Sequence, residues 1–170
     1  EELIKMLIDR RAIIAKSDEW TLDESRLGEI EVPATLNGVL QARLDKLTVW
    51  EKTILQQASV IGREFWDKAI EKFGSEINVA AVLESLRRKE LLYRHETSAF
   101  SGANEYLFKH ALLRDATYET VLLGERRTWH EKTAEWLIET SGERADEYAA
   151  TIAAHFEKAQ KPAQAAEWFG

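Results

Sequence analysis

The chain has 170 residues, of which 23 are basic and 30 acidic, and its formal net charge is −7 at pH 7. Its 45% hydrophobic content can build a packed core, whereas the absence of cysteine from the sequence excludes disulfides, thiolate nucleophiles and Cys-ligated zinc. The negative charge disfavours a protein whose main task is to bind along the phosphate backbone of nucleic acid. The sequence has no membrane-length apolar run and no secretory pattern, so we expect a cytoplasmic protein with no membrane contact.

The first 47 residues predict two helices with a short hairpin between them. An apolar stripe of leucines and isoleucines predicts a helix over residues 1–11. Two short strands are expected at Ala12–Ala15 and Trp20–Leu22, around a polar turn. Pro33 suits the first turn of a second helix, which apolar residues at helical spacing extend to Leu47.

The next stretch predicts three short, capped helices in succession. Thr48 is followed three residues later by Glu51, the spacing of a capping box in which each side chain satisfies the other residue's free backbone N–H. Gly62 lies where the end of a helix favours a left-handed residue. A second helix is expected over Phe65–Phe73, and Asn78 is a candidate cap for the third.

The pattern then changes from helical spacing to alternation. Leu91–His95 and Glu105–His110 predict two strands joined by a polar turn, with Tyr106 and Phe108 on one face of the second strand. Three helices followed by a two-stranded hairpin is the order of elements in a winged-helix domain. We therefore predict a mainly α (α+β) fold: a winged helix with a small β-hairpin wing, flanked by helical segments.

Helical patterns continue to the end of the sequence. Two helices are expected over Leu112–Leu123 and Glu125–Thr140, with a glycine as a stop between them. Trp129 and Trp136 lie two turns apart on the second helix, so we expect them to seal it against the winged helix. The pattern from residue 145 onward predicts the start of a helical repeat, whose apolar face further chain would cover.

Sequence motifs for catalysis are missing. There is no Gly-x-x-x-x-Gly-Lys phosphate loop, Gly-x-Gly-x-x-Gly turn, His-Glu-x-x-His helix or Gly-x-Ser-x-Gly elbow. The four histidines are scattered, and none has a neighbouring histidine or carboxylate at metal-ligating spacing. We expect a chain that is not an enzyme, with no catalytic residue, metal site or cofactor of its own.

His110 is the histidine best placed to meet a ligand. It follows the second predicted strand and comes directly before a predicted helix. At such a junction the free backbone N–H groups and the positive end of the helix dipole favour an anion. An imidazole at the same point adds a further hydrogen-bond donor.

The segment around His110 resembles the winged-helix domain of STAND signalling ATPases, nucleotide switches that include bacterial regulators with tetratricopeptide arrays. The resemblance is carried by Glu105–Asp115, with the sequence Glu-Tyr-Leu-Phe-Lys-His-Ala-Leu-Leu-Arg-Asp. Glu1–Leu3 resembles the ATPase lid, Val32–Leu47 the connector after it, and Ala154–Ala159 the first helix of the tetratricopeptide array. The resemblance implies four regions: the end of the ATPase lid and connector (1–47), a winged helix (48–110), linking helices (111–144) and the start of a tetratricopeptide-like repeat (145–170).

This resemblance implies a regulatory, protein-interaction role in an ATP- and ADP-switched parent protein. In the class, the winged helix folds back on the upstream ATPase core, and a histidine matching His110 contacts the β-phosphate of ADP bound with magnesium. Further protein partners would bind through the downstream repeats. The sequence departs from the Met-His-Asp form of the motif at Lys109 and Ala111. Arg114 and Asp115 match bacterial members and are candidates to support the imidazole.

A winged-helix transcriptional regulator is the alternative function. The third helix of a winged helix can lie in the major groove of DNA. Here the contacts would come from Arg87, Arg88 and Lys89 near the end of that helix and from Arg94 on the wing. Glutamates interrupt this basic cluster, which indicates a solvated charged surface, so nucleic acid is not the expected partner.

Overall fold

The computed structural model describes residues 13–16, 19–22, 32–74 and 76–169. The chain forms two compact units, residues 1–45 and 46–170. The described residues are mainly helical and include a small antiparallel sheet of three strands. In these parts of the chain, no helix combines the length and the apolar character needed to cross a membrane. The helix expected over residues 1–11 lies outside them.

The described residues of the first unit form two paired strands and a helix. Strand β1 (Ile13–Lys16) pairs antiparallel with β2 (Glu19–Leu22), and its residues lie opposite those of β2 in a continuous register. Helix α1 follows at Val32–Asp45. These elements agree with the strands and the helix predicted for this part of the chain.

The second unit begins with the predicted capping box. The Thr48 hydroxyl accepts a hydrogen bond from the Glu51 backbone at 3.3 Å, and the Glu51 carboxylate accepts one from the Thr48 backbone at 2.8 Å. Helix α2 therefore starts at Val49 and runs Val49–Ile61. Gly62 after it is extended (φ 163°), not left-handed as expected, because the chain continues directly into a strand.

The segment Phe65–Phe73, predicted as one helix, is a strand followed by a short helix. Strand β3 (Glu64–Trp66) pairs antiparallel with a strand about 40 residues further along the chain, so the sequence around it does not indicate the pairing. Helix α3 (Asp67–Glu71) follows. The Asp67 carboxylate accepts hydrogen bonds from the backbone and side-chain N–H groups of Asn104 at 2.9 and 2.6 Å, which fixes the start of α3 against the sheet.

The remaining strands complete a three-stranded sheet. Helix α4 (Val79–Arg88) is capped as predicted by Asn78, whose side chain accepts a hydrogen bond from a backbone N–H in the first turn at 3.0 Å. Strands β4 (Leu92–Arg94) and β5 (Glu105–Phe108) pair antiparallel, and the strand order is β3-β5-β4. The predicted hairpin is thus part of a larger sheet, with β3 as its third strand.

Four helices and a 3₁₀ segment form the rest of the second unit. They are α5 (Ala111–Glu119), α6 (Leu123–Ser141), the 3₁₀ segment (Gly142–Tyr148), α7 (Ala149–Lys158) and α8 (Pro162–Phe169). Gly124, expected as a stop between helices, lies in the first turn of α6 instead. Helix α7 packs against both α6 and α8.

An aromatic cluster joins the sheet to α6. Trp66 on β3 stacks on Trp136 of α6 with ring centroids 5.4 Å apart. Phe100, from the connection between β4 and β5, is 2% exposed and contacts both tryptophans and Tyr148. On the same helix, the Trp129 ring is stacked with that of Phe73, which follows α3 in the chain. These contacts agree with the prediction that Trp129 and Trp136 seal α6 against the segment 48–110.

Candidate functional site

The imidazole of His110 lies at the N-terminus of α5. His110 is the N-cap residue of that helix, its backbone is extended, and its carbonyl accepts hydrogen bonds from Leu113 and Arg114 at 3.1 and 3.4 Å. The half-buried ring makes no hydrogen bond, ion pair or ring contact with the residues that the structure describes. The first turn of α5 holds no acidic side chain that would occupy its free N–H groups. This junction can therefore present an imidazole and a helix N-terminus to an anion.

Lys109, the residue before His110, is attached to residues at and just before strand β4. The Lys109 backbone donates to the carbonyl of Leu91 at 3.0 Å, and the Lys109 ammonium lies 3.5 Å from the Glu90 carboxylate. The same ammonium lies 5.6 Å from the ring centroid of Tyr93 on β4. These contacts direct the Lys109 side chain toward β4, so its ammonium interacts with Glu90 and Tyr93 and not with the His110 ring. The backbone on the N-terminal side of His110 is thus fixed to the sheet.

Arg114 and Asp115, the residues predicted to support His110, do not interact with its ring. The Arg114 guanidinium donates to the Ser59 carbonyl at 2.8 Å and to Asp115 at 3.0 Å. It also lies over the Tyr118 ring, 4.7 Å from the centroid. Arg114 instead fixes α5 to the last turn of α2, so its effect on His110 is to hold the helix that carries it.

Most of the basic residues considered for DNA contact have partners within the fold. Arg87 forms two 2.8 Å hydrogen bonds with Glu84, Lys89 lies 2.7 Å from the Glu51 carboxylate, and Arg94 donates to a side chain on the β4–β5 connection. Arg88 is exposed and has no ion pair among the described residues. A groove-binding surface would have to break these contacts, so the arrangement is a poor match for a recognition helix.

The structure brings together two histidines that sequence analysis treated as scattered. The Nδ1 atoms of His130 on α6 and His155 on α7 are 2.8 Å apart, and both residues are buried. The Nε2 atom of His130 lies 2.9 Å from the Tyr118 hydroxyl, and His155 is hydrogen-bonded to the backbone of Ile61 at the end of α2. The missed signal was the position of His155 three residues after Ile152, on the apolar stripe of α7.

Both imidazoles of this pair are held in the neutral form. Burial, followed by the charges of His155, Lys158 and the nearby arginines, lowers the pKa of His130 to about 3. Burial and the Lys158 charge lower the pKa of His155 to about 4, although its hydrogen bond to the Ile61 backbone acts in the opposite sense. Among the described residues, no group of three or more His, Asp or Glu side chains could hold a metal ion.

Two neighbouring clefts reach this part of the fold. Their volumes are about 470 and 340 Å³, and both are lined by Ile61, Gly62, Thr151 and His155. Arg114 and Lys158 line the smaller cleft, and the larger one extends toward β3. The edge of the His155 ring therefore has a route to solvent even though the residue is buried.

Comparisons with known proteins give no relative for this chain. No family model, curated protein or solved structure matches it.

Proposed function

We propose that this chain is a non-catalytic regulatory and protein-interaction region of a STAND-type signalling ATPase that is switched by ATP and ADP. In this proposal the segment 48–110 is a winged helix that packs on the upstream ATPase core, and His110 contacts the phosphate of the bound nucleotide. The downstream helices would begin a tetratricopeptide-like array that binds protein partners in the cytoplasm.

The order of elements supports the winged-helix assignment. The second unit runs helix, strand, helix, helix, strand, strand, from α2 through β3, α3, α4 and β4 to β5. The third strand, β5, lies between the other two in the sheet. This order is consistent with the three helices and β-ribbon of a winged helix, which is the arrangement that we propose. The contact of α7 with α8, which follow each other closely in the chain, supports the start of a helical repeat.

The observation that carries the proposal is the free imidazole of His110 at the N-terminus of α5. Its neighbours are engaged elsewhere, Lys109 with Glu90 and Arg114 with Ser59, so the ring is held at a fixed junction while its own nitrogens keep their hydrogen-bonding capacity. Leu112, in the first turn of α5, is 52% exposed. An imidazole, free helix N–H groups and an adjoining apolar side chain suit a surface that docks beside a phosphate.

The test uses the intact parent ATPase loaded with a fluorescent ADP analogue. A hydrogen bond to a charged group contributes about 1.5–3 kcal/mol, so His110→Ala should increase the rate of ADP release about tenfold or more. His95→Ala is the matched control, because His95 is an exposed histidine on the β4–β5 connection, away from any helix N-terminus. ADP release at the wild-type rate from the His110 variant would contradict the proposed contact.

A DNA-binding regulator remains the second candidate because a winged helix can also bind DNA. Its test is a mobility-shift titration of the chain with random duplex DNA at low and high salt. Binding that weakens steeply with salt, and that Arg88→Ala together with Arg94→Ala reduces, would favour this candidate. The ion pairs of Arg87 and Lys89 lead us to expect no shift at micromolar protein.

A further inference from the structure

The buried pair of His130 and His155 connects α7 to two other helices. His155 is bonded on one side to His130 of α6 and on the other to the backbone at the end of α2. The turn between α7 and α8 adds one more polar contact to the rest of the unit, the 2.9 Å ion pair of Lys161 with Glu131. The attachment of α7 and α8 thus depends on apolar packing and on few polar bonds.

The number of protons that this pair can hold is set by its geometry. At 2.8 Å, one Nδ1 atom must donate and the other must accept. In the neutral pair, the Tyr118 hydroxyl can serve the Nε2 atom of His130, and the Ile61 carbonyl can accept from the outer N–H of His155. One added proton leaves the bond between the rings intact but creates a buried cation. A second proton places two N–H groups against each other and breaks the bond.

The surroundings oppose even the first added proton. The charged groups that act on the pair are Arg114 from α5, Arg126 from α6 and Lys158 from α7. From α2 the pair meets a backbone group, and from α5 it also meets the neutral Tyr118 hydroxyl. Neither ring forms a hydrogen bond with a carboxylate among the described residues.

Two carboxylates of α5 are already engaged with two of these cations. Asp115 is bonded to the Arg114 guanidinium at 3.0 Å, and Glu119 lies 3.3 Å from that of Arg126. Both arginines lie over the Tyr118 ring, with their guanidinium carbons 4.7 and 4.4 Å from its centroid. A proton on the pair would therefore be a buried positive charge among three cations, and among the described residues no carboxylate is hydrogen-bonded to either ring, although Glu64 and Glu105 line the larger cleft that reaches His155.

We propose that the His130–His155 pair is an acid-sensitive latch: because the rings bind protons more readily once they are separated and hydrated, acid favours the state in which the bond between them is broken and α7 and α8 are released from α2 and α6. The clefts that reach His155 give protons and water access without prior unfolding. The buried face of α7, which includes Ile152, Ala153 and Phe156, would then be exposed at low pH and covered at neutral pH.

The size of the response follows from proton linkage. An imidazole that gains water in the released state regains a pKa near 6.5. Between pH 7.5 and 5.5 the equilibrium constant for release should then rise about tenfold if only His155 becomes hydrated, and about 100-fold if both rings do.

The experiment is hydrogen exchange of the full 170-residue chain at pH 7.5 and 5.5, with rates corrected for the intrinsic pH dependence of amide exchange. Amides of α7 should open about 10- to 100-fold more readily at pH 5.5, and more readily than amides of α2 at that pH. Opening constants that are equal in α7 and α2 at both pH values would overturn the proposal, because no separate release would then exist.

Histidine variants test whether His130 and His155 cause the pH-dependent opening of α7. His155→Asn should reduce the pH response of α7 to about tenfold or less, and its combination with His130→Gln should abolish it. The exposed-histidine control, His95→Gln, should keep the wild-type response. A full response in the double variant would overturn the proposal. Should that variant not fold, the comparison of α7 with α2 in the wild-type chain decides alone.

Discussion

Replacing Glu51 by Gln tests the buried network that connects the start of α2 to the end of α4. The Glu51 side chain is 5% exposed. Its two oxygens accept hydrogen bonds from the Thr48 backbone at 2.8 Å, the Ser85 hydroxyl at 2.8 Å and the Lys89 ammonium at 2.7 Å. A glutamine of the same length keeps the packing but loses the charge and one acceptor oxygen.

The magnitude follows from the pKa of the Glu51 carboxyl. Burial alone would raise this pKa, but the hydrogen bonds from Lys89, Thr48 and Ser85 outweigh burial and lower it from 4.5 to about 2. The depressed pKa means that the carboxylate stabilises the fold above pH 4.5 and that this contribution is lost as the pH falls toward 2. A shift of this size corresponds to about 3 kcal/mol. Since the Lys89 side chain is 42% exposed and screened by water, we expect Glu51→Gln to cost about 2–3 kcal/mol.

The assay is urea denaturation of both proteins from pH 8 to pH 3.5. The difference in unfolding free energy between the wild-type protein and Glu51→Gln should be constant above pH 5. It should decrease below pH 4.5, because protonation of Glu51 then begins to remove the stabilising effect of the carboxylate in the wild-type protein. Glu84→Gln is the matched control, because Glu84 pairs with Arg87 on the exposed surface of α4 and should cost less than about 0.5 kcal/mol. Equal effects of the two substitutions would refute the reasoning, as would a difference that does not change in acid.

Three further measurements probe other contacts of the second unit. Trp136→Ala should cost about 3–5 kcal/mol in thermal unfolding, because it removes a buried ring from the aromatic cluster, and a cost below 1 kcal/mol would show that the cluster is not a core. Arg114→Lys should cost about 1–2 kcal/mol in urea, since lysine lacks the Nε donor to Ser59 and the stacked plane, whereas an unchanged midpoint would contradict that attachment. The unfolding free energy should fall by about 3–4 kcal/mol between pH 7 and 5, because His130 and His155 bind protons only when unfolded in this range, and a flat pH profile would contradict the pKa directions.

Local chemistry made several elements predictable. Thr48 and Glu51 form the capping box that their spacing indicates, and Asn78 caps α4. The alternation in β5 correctly placed Tyr106 and Phe108 on one face of the strand, and the structure shows that both are buried. In each case the residues that determine the local structure lie within a few positions of one another, so their spacing in the sequence is enough to predict it.

Contacts distant in sequence account for what was missed. Strand β3 contains adjacent aromatic residues that suit a helix equally well, and only its pairing with β5 makes it a strand. His130 and His155 are 25 residues apart and on different helices, so no local spacing predicts that their rings meet. His110 could be placed at a strand-to-helix junction from the sequence. That Arg114 is bonded to Ser59, not directed to the imidazole, required the packing of α5 on α2.

The burial of Phe100 has a mechanical consequence for the connection between β4 and β5. Because the Phe100 side chain packs edge-on against both stacked tryptophans, the loop cannot move away from the sheet and α6 without exposing three aromatic rings to water. The loop is therefore already ordered before any partner binds to it, so binding costs little conformational entropy of the loop. Because Phe100 contacts Trp136, a displacement of the loop would also disturb the packing of α6.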